Sequence, residues 1–240
     1  MKQFSRQSLL IGEENTKKLM NSSVIVFGLG GVGGFTIEGL SRAGIGTITL
    51  VDFDTVDITN LNRQLIATHS TLGEEKTKLF KDRILDINPN AVVNIHNLRV
   101  TPENAITLFD HMKYDYIVDA IDTVSAKLAL IEISKERKIP IISSMGFGNK
   151  LDPTTIQIAD ISKTTVCPLA RAMRQELKKR RIKKIKTIFS TEIAIKPQNL
   201  SGSREKAVNV GSVSFVPSVA GLIIAGEVIK DLIKVNQELI

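Results

Sequence analysis

Cysteine and tryptophan are nearly absent from this 240-residue chain, which contains one cysteine, Cys167, and no tryptophan. A single thiol cannot build a disulfide framework within the chain, and it cannot supply the paired C-x-x-C motifs of a structural zinc site. The three histidines are scattered at positions 69, 96 and 111, and this spacing indicates neither a catalytic triad nor a metal site. This cysteine usage is typical of a reducing compartment, and we expect a cytoplasmic protein.

Long hydrophobic runs are also lacking. The longest apolar stretch, near 213–226, is broken by serine, proline and glycine, and it is shorter than the roughly 20 residues that a membrane span needs. The polar N-terminal sequence shows no signal peptide. We therefore predict a buried core helix at 217–234 and no membrane association, with a membrane-associated helix as the less favoured alternative.

Positive charge is concentrated in one segment. Residues 163–186 contain ten Lys or Arg and one acid, Glu176, which leaves about −2 for the rest of a chain whose net charge is +7. Such a local excess is the pattern expected of a surface that binds polyphosphate or nucleic acid. A solvated helix face is the simpler alternative for this segment alone.

Strand and helix patterns alternate over residues 1–145. Short continuous apolar runs, as in buried parallel strands, are followed by segments with helical periodicity. This alternation predicts an α/β fold with a doubly wound, mostly parallel, Rossmann-like sheet. The predicted strands are 24–27, 47–51, 92–95, 116–119 and 139–142. The first main helix is predicted to end near position 43, and the other two are predicted at 74–87 and 124–137. A short helix is predicted after Thr101, which caps it.

The pattern changes after position 145, and we treat 146–240 as a C-terminal α/β extension of the same domain. Strands are predicted at 155–158 and 187–189, with a basic helix at 168–181 between them. A loop is predicted at 201–205, before the closing helix at 217–234. The first 145 residues would then form the nucleotide-binding core with an N-terminal arm.

A glycine-rich turn between the first strand and the first long helix predicts a nucleotide site. In such a turn the backbone N–H groups and the helix N-terminus approach phosphates. The pattern does not by itself distinguish ATP from NAD or FAD, and a tight turn without ligand is the remaining alternative. The glycines concerned are Gly28, Gly30, Gly31 and Gly33.

Charged residues beyond the second strand favour ATP. Asp52 ends that strand, where a carboxylate can bind ribose hydroxyls, and Asp54 follows it closely. Arg63 and Lys76 are cations that a triphosphate needs, because charge builds on the departing pyrophosphate during attack at the α-phosphorus. The alternatives are a surface ion pair for Arg63 and an exposed helix lysine for Lys76. Asn60 and Asn62 add amide groups to the same loop.

Carboxylates also follow the fourth predicted strand, at the edge of the sheet where ligands bind in such folds. Asp119 and Asp122 lie there, with Thr123 next in the chain. Asp122 is placed to hold Mg²⁺ against the phosphates, since carboxylate oxygens suit that ion. As an alternative or additional role, either aspartate could cap the helix that begins near Val124.

These elements together resemble the adenylating domain of the ubiquitin-activating-enzyme-like superfamily. The resemblance implies that Gly31, Asp52, Asn60, Arg63, Lys76 and Asp122 contact ATP or Mg²⁺. It also implies a homodimer, because the stretch around Arg6 resembles the arm whose arginine reaches the partner subunit's triphosphate. A charge on a disordered tail is the alternative for Arg6.

The second half resembles the tRNA threonylcarbamoyladenosine dehydratases, through Gly146-x-Gly148, Asp152-Pro-Thr-x-Ile-Gln157, Ala159 to Thr164, Pro168-Leu-Ala, the basic helix and Phe189-Ser-Thr-Glu192. In that family ATP activates the carboxylate of threonylcarbamoyladenosine at position 37 of tRNA, and ring closure expels AMP. The resemblance implies this activity here. No protein nucleophile is required, and Cys167 is more simply a small apolar residue than a thioester former.

The basic segment then acquires a role as the tRNA-binding surface, and we predict no role in DNA binding. The residues predicted to contact tRNA phosphates are Arg171, Arg174, Lys178, Lys179, Arg180 and Arg181. Two features stay open: a monovalent cation, Na⁺ or K⁺, near the Gly146 turn, and a cysteine-desulfurase or sulfur-relay protein as partner.

Three rival functions remain at this stage. An activator of a ubiquitin-like or sulfur-carrier protein would also adenylate a carboxylate, but it is disfavoured by the missing zinc cysteines and by the basic segment. An NAD-dependent oxidoreductase is disfavoured by Arg63, by Lys76 and by the lack of recognisable hydride-transfer residues. The third is a non-catalytic tRNA-binding protein with a relic nucleotide site.

Overall fold

Seven strands form one sheet at the centre of the structure, a computed structural model that describes residues 2–196 and 210–234. Their order is β3-β2-β1-β4-β5-β7-β6, and every pair is parallel except β6 with β7. The predicted doubly wound, mostly parallel fold is thereby confirmed. The strands are β1 (Ser23–Phe27), β2 (Thr47–Asp52), β3 (Val92–Asn97), β4 (Tyr116–Asp119), β5 (Ile141–Ser144), β6 (Ile156–Asp160) and β7 (Lys186–Ser190).

Helices cover both faces of this sheet, as expected for parallel strands with right-handed crossovers. One face packs against α2, α3, α4 and α7, and the other packs against α5 and α6. The helices are α1 (Ser5–Ile11), α2 (Glu13–Met20), α3 (Gly33–Arg42), α4 (Lys76–Ile87), α5 (Val124–Arg137), α6 (Pro168–Lys179) and α7 (Phe215–Ile233).

Strand β1 sits at the point where the strand order reverses. Its last residue, Phe27, is aligned with Val51 of β2 and with Asp119 of β4. The chain segments that leave these three strands therefore start side by side at one edge of the sheet. A crevice at such a reversal is where open α/β sheets bind ligands.

The last helix, α7, packs on α3 and is buried along one side, including Val216, Ala220 and Ile224. This agrees with the predicted core helix, although the helix begins two residues earlier than position 217. In residues 2–196 and 210–234, no helix is both long and apolar enough to cross a bilayer.

Several predicted boundaries are wrong. Strand β5 begins at Ile141 rather than at position 139, because the carbonyl of Pro140 accepts a bond from Ile117 while proline itself has no N–H to donate. Helix α6 ends at Lys179 rather than at position 181, since Arg181 adopts a left-handed backbone with φ of 56°.

A local hydrogen bond explains one further difference. The helix predicted to be capped by Thr101 is a short 3-10 segment, Ala105–Phe109, that begins four residues after Thr101. Asn104 accepts the Thr101 N–H through its side chain and delays the helical turn. The N-terminal arm forms α1 and α2. The loop predicted at 201–205 lies outside the described residues.

Candidate nucleotide-binding site

A cleft of about 1070 Å³ opens at the carboxyl edge of the sheet, beside the ends of β1, β2 and β4. Its walls come from the glycine turn after β1, the loop after β2, the start of α4 and the loop after β4. The predicted site residues that line it are Gly28, Gly30, Gly31, Asp52, Asp54, Asn60, Arg63, Lys76, Asp122 and Thr123. Sequence positions from 28 to 123 are thus brought together as predicted.

The glycine turn is shaped by close backbone contacts. Gly28 has φ of 84°, and a Cβ placed on it would lie 2.6 Å from the carbonyl oxygen of Ala120. Any side chain at this position would be both strained and in collision. Gly33 begins α3 and does not line the cleft; its Cβ would lie 1.8 Å from the Gly28 carbonyl oxygen. In this structure Gly33 therefore allows the turn to close, which is a packing role.

Asp52 joins the end of β2 to the glycine turn. Its Oδ2 atom accepts a hydrogen bond from the Leu29 N–H at 2.6 Å, and its Oδ1 atom accepts one from the Asp54 N–H at 2.8 Å. The residue is 9% exposed at the cleft wall. Carboxylate oxygens have about four acceptor sites in total, so Asp52 retains capacity for a hydroxyl donor from a ligand.

Lys76 is the first residue of α4, and its ammonium group lies 3.2 Å from Oδ2 of Asp54. The lysine side chain is 4% exposed, so the alternative of an exposed helix lysine is wrong. A nearly buried cation that is paired with a half-exposed carboxylate keeps a strong local field, because water screens it little. Lys76 can therefore stabilise an anionic ligand in the cleft.

The loop after β2 is held by its own hydrogen bonds. Asp57 accepts the Thr59 N–H at 2.8 Å and the Thr59 hydroxyl at 2.6 Å, and these bonds lower the pKa of its carboxyl. Asn60 is buried and accepts the Asp57 N–H through Oδ1. The loop is thus a preformed 3-10 turn that fixes where the next residues face the cleft.

Arg63 reaches the cleft from this turn. One of its guanidinium nitrogens donates to the Thr59 carbonyl at 2.8 Å and to Oδ1 of Asn62 at 3.0 Å. Arg63 therefore does not form the surface ion pair that was its alternative role, since both acceptors are uncharged. Asn62 does not line the cleft; its amide donates to the carbonyl of Ser212. Asn62 accordingly supports Arg63 from the side.

The loop after β4 carries an exposed and a buried aspartate. Asp122 is exposed at the cleft, where its Oδ1 lies 3.3 Å from the Thr123 hydroxyl. Asp119 is fully buried and pairs with Lys127. The N-cap residue of α5 is Thr123, so neither aspartate takes the alternative role of capping that helix. Within residues 2–196 and 210–234, no cluster of three metal-ligating side chains occurs.

The cleft is also lined by residues that were not predicted from the sequence. Arg99 and Phe53 both line the cleft, and the guanidinium carbon of Arg99 lies 4.1 Å from the centre of the Phe53 ring. Gln64 also lines the cleft and is buried. The position of Arg99 just after β3 was the available signal, since β3 neighbours β2 at the same edge of the sheet.

Arg6 lies away from this cleft. It is exposed on α1 and is not among the cleft-lining residues of its own chain. Its predicted contact with a triphosphate would therefore need the cleft of another subunit.

The basic segment contains two kinds of cation. Arg174 donates to the carbonyl and the hydroxyl of Thr164, so it fixes the entry to α6. Lys179 and Arg180 both pair with Glu176, which lowers the pKa of the Glu176 carboxyl. These groups are partly neutralised by contacts within the protein.

Six other cations of the segment are exposed and make no ion pair with any residue that the structure describes. Four of them line a second cavity of about 850 Å³ at the end of α6, with Leu177 and Ile182 among its apolar walls. The six are Lys163, Arg171, Lys178, Arg181, Lys183 and Lys184, of which Lys163, Lys183 and Lys184 were not in the predicted tRNA-binding set. Charge count alone could not separate free from paired cations.

Cys167 precedes Pro168 at the start of α6 and is buried, with its sulfur 4.0 Å from the Gly146 carbonyl oxygen. It does not line the nucleotide cleft. This environment is that of a small apolar side chain.

Comparison with known proteins decides the family. The model of the ThiF family matches residues 4–240. The chain belongs to the ThiF family. Within this family it is 48% identical over 242 residues to the tRNA threonylcarbamoyladenosine dehydratase of Bacillus subtilis, a match that covers 97% of this chain and 95% of that protein.

Two crystal structures of proteins from Escherichia coli are also similar to this chain. They are tRNA N6-threonylcarbamoyladenosine dehydratase in complex with ATP and the same enzyme in complex with AMP, each with a TM-score of 0.88. The identities are 33% and 34%, and each match covers 97% of this chain and 94% of the other. The resemblance stated from the sequence is thereby confirmed, and this chain is placed with the dehydratases of the family.

Proposed function

We propose that this protein uses ATP to dehydrate N6-threonylcarbamoyladenosine at position 37 of tRNA. The observation that carries the proposal is one cleft that contains a glycine turn, the cations Lys76 and Arg63 and the carboxylate Asp122, in a chain that belongs with the dehydratases. Residues 1–145 would provide this cleft, and residues 146–240 would provide the tRNA-binding surface. We place the enzyme in the cytoplasm, where tRNA is modified.

ATP fits the donors and acceptors of the cleft. The backbone of Gly28, Gly30 and Gly31 allows phosphates to approach closely, and the partly free carboxylate of Asp52 would accept ribose hydroxyls. Lys76 and Arg63 would face the β- and γ-phosphates, with Asn60 holding the loop. Their positive charge would stabilise the pyrophosphate as it departs, because that group gains charge during attack at the α-phosphorus.

Magnesium fits a single exposed carboxylate at this edge, since Mg²⁺ is usually held by one or two carboxylates together with substrate phosphates. Asp122 would hold it, with the Thr123 hydroxyl next to the carboxylate. When bound, the ion would neutralise charge on the phosphate oxygens. Neither a monovalent cation nor a sulfur-relay protein is supported by the described residues, and we do not propose them.

The reaction would proceed in two steps. The threonyl carboxylate of the modified base attacks the α-phosphorus, which gives an acyl-adenylate and releases pyrophosphate. The ureido nitrogen of the same group then attacks the acyl carbon, and AMP leaves as the ring closes. Since nucleophile and electrophile belong to one substituent, proximity provides much of the acceleration. The buried position of Cys167 agrees with a route that has no thioester.

Transfer RNA would bind along the exposed cations of the basic segment. Arg171, Lys178 and Arg181 project from α6 and the turn after it, and Lys183 and Lys184 extend the same surface. From the predicted set, Arg174, Lys179 and Arg180 would contribute less, because their groups are already bonded to protein acceptors.

We also propose a homodimer whose composite site uses Arg6 of the second subunit. Support comes from Arg6 being exposed and outside its own cleft, and from the exposed apolar side chains Leu9 and Leu10 on the same helix. Mixing inactive Arg6→Ala and Lys76→Met proteins would restore about a quarter of the wild-type rate, because half the dimers would be mixed and each would hold one intact site. No recovery after subunit exchange would exclude the composite site.

The decisive test is a nucleoside digest. Purified protein is incubated with ATP, Mg²⁺ and tRNA that carries threonylcarbamoyladenosine, and the tRNA is then digested and analysed by mass spectrometry. Loss of one water from the modified nucleoside, with one AMP formed per nucleoside, supports the proposal. An activator of a protein C-terminus would instead leave the tRNA unchanged and form no AMP in this mixture, which contains no carrier protein. Binding of NAD with no AMP formation would instead support the alternative of an NAD-dependent oxidoreductase.

A further inference from the structure

A fully buried ion pair lies directly beneath the loop that carries Asp122. Asp119 ends β4 and Lys127 lies in the first turns of α5, and both side chains are 0% exposed. The Lys127 ammonium is 2.9 Å from Oδ2 of Asp119. Nothing in the proposed chemistry uses either group, since neither lines the cleft.

The position of Lys127 is energetically unfavourable unless close partners compensate its charge. A cation near the N-terminus of a helix faces the positive end of the helix dipole, and burial of an ammonium group is costly without close partners. Here the partners are specific. Lys127 also donates to the carbonyl of Ile121 at 2.9 Å, so its ammonium bridges the strand end and the loop backbone one residue before Asp122.

Asp119 completes the bridge from the other side. Its Oδ1 accepts the Ile121 N–H at 3.2 Å, and its Oδ2 accepts the Ser143 hydroxyl of β5 at 2.6 Å. Both backbone groups of Ile121 are therefore fixed by this buried pair. The neighbouring Ala120 N–H donates to the Phe27 carbonyl, and Gly28 packs against the Ala120 carbonyl. The backbone of the loop is thus held against the glycine turn, and the side chains of the loop itself do not contribute to this contact.

We propose that Lys127 is a positioning residue for nucleotide binding. With Asp119 and Ser143 it fixes the backbone of Ile121, and this sets the direction in which the Asp122 carboxylate faces the cleft. The role of Asp122 itself belongs to the proposed function, on which this inference rests. Lys127 would then control the Mg²⁺-dependent affinity for ATP without touching ATP or the ion.

The test compares Lys127→Met and Lys127→Arg with a matched control, Lys135→Met. Lys135 is exposed on the same helix, two turns from Lys127, so its replacement makes the same chemical change outside the buried cluster. The first readout is amide hydrogen exchange of a peptide spanning 116–124 in nucleotide-free protein. We expect Lys127→Met to accelerate exchange there about ten-fold more than in the rest of the sheet.

The second readout is equilibrium binding of a non-hydrolysable ATP analogue, with and without Mg²⁺. Replacing a group that orients a metal ligand typically weakens affinity by about 10–100-fold, and we expect that loss for Lys127→Met only when Mg²⁺ is present. Lys127→Arg should recover part of it, because a guanidinium can still pair with Asp119. Wild-type behaviour of folded Lys127→Met in both readouts would overturn the proposal.

Two further variants keep the proposal testable if Lys127→Met does not fold. Ser143→Ala removes one anchor but leaves the ion pair, and the double variant Lys127→Met/Asp119→Asn leaves no unpaired buried charge. Unchanged exchange and unchanged Mg²⁺-dependent binding in both would also overturn it. If the wild-type protein binds no ATP at all, the proposed function fails, whereas the exchange measurement still decides whether Lys127 fixes the loop.

Discussion

The ammonium group of Lys76 lies 3.2 Å from the carboxylate of Asp54, yet the lysine is 4% exposed and the aspartate is 48% exposed. The pair thus spans the boundary between the protein interior and the cleft. Because Lys76 is the first residue of α4, the helix fixes its backbone, whereas the Asp54 side chain is half-exposed to solvent. An incoming phosphate can compete for the lysine by displacing an exposed partner rather than a buried one.

Replacement of Lys76 by methionine should abolish most activity without unfolding the protein. The change removes positive charge where the pyrophosphate departs, and loss of one such stabilising group typically costs about 10²–10³-fold in rate. AMP formation in the presence of substrate tRNA measures it. The control is Lys78→Met, the same change at an exposed position of the same helix. Equal rates for the two variants would contradict the assigned role of Lys76.

Alanine at Gly28 should be far more damaging than alanine at Gly73, although both glycines have φ above 80°. The shared backbone conformation costs an L-residue roughly 1–2 kcal/mol at either site. Only at Gly28 does the new Cβ also meet backbone, 2.6 Å from the Ala120 carbonyl oxygen, whereas nothing lies within 4 Å at Gly73. Urea unfolding and ATP binding should both separate the two variants; similar losses would argue against a tight turn.

Transfer RNA affinity should depend on the exposed cations more than on the paired ones. Lys178→Gln/Lys184→Gln removes two cations that make no ion pair with described residues, whereas Lys179→Gln/Arg180→Gln removes two that pair with Glu176. We expect the first pair to lower the slope of log K against log salt by about 0.7–0.9 for each phosphate that is no longer neutralised. Filter binding at several salt concentrations measures this, and a larger effect of the second pair would refute the division.

The stability contributed by Glu38 should disappear in acid. Burial by itself would raise the pKa of this carboxyl, but hydrogen bonds from Arg83 and Arg42 lower it overall from its ordinary value of 4.5. A lowered folded-state pKa means that the contribution is fully present above about pH 4.5 and is lost as the pH falls through the folded value. Glu38 thus ties α3 to α4 at neutral pH but not in strong acid.

The corresponding experiment uses Glu38→Gln. We expect a loss of about 1–2 kcal/mol in unfolding free energy at pH 7, after allowing for the exposure of both arginines, and a smaller difference near pH 3. The control is Glu136→Gln, at an exposed position with no ion pair in the described part of the chain. A difference that grows in acid would show that the lowered pKa is not the cause.

Local sequence pattern was sufficient for the order of strands and helices because buried parallel strands are short apolar runs. It failed where a single tertiary contact decides a boundary. The shift of β5 past Pro140 depends on pairing with β4, and the antiparallel direction of β6 depends on β7. Neither partner can be identified from the local sequence of the strand itself.

The site was predictable where a residue type has one chemical use, as for Lys76 and Asp122, which the fold brings to one cleft. It was less predictable where a charge has a choice of partners. Arg174 belongs to the same basic run as Lys178, yet it bonds to Thr164 and is partly buried. Gly33 and Asn62 likewise belong to the motifs, but they shape the turn and the loop instead of lining the cleft.

Helix α7 has a consequence for how the molecule is made. It covers one face of a sheet whose first strands are built far earlier in the chain, and its Pro217 lies where a Cβ on Gly31 would be only 3.2 Å away. On the ribosome, the early strands would emerge with part of that apolar face uncovered until α7 is translated, because α2, α3 and α4 cover only the rest of it. Premature termination before position 215 would therefore yield a product that exposes apolar surface and aggregates, rather than a folded enzyme with reduced activity.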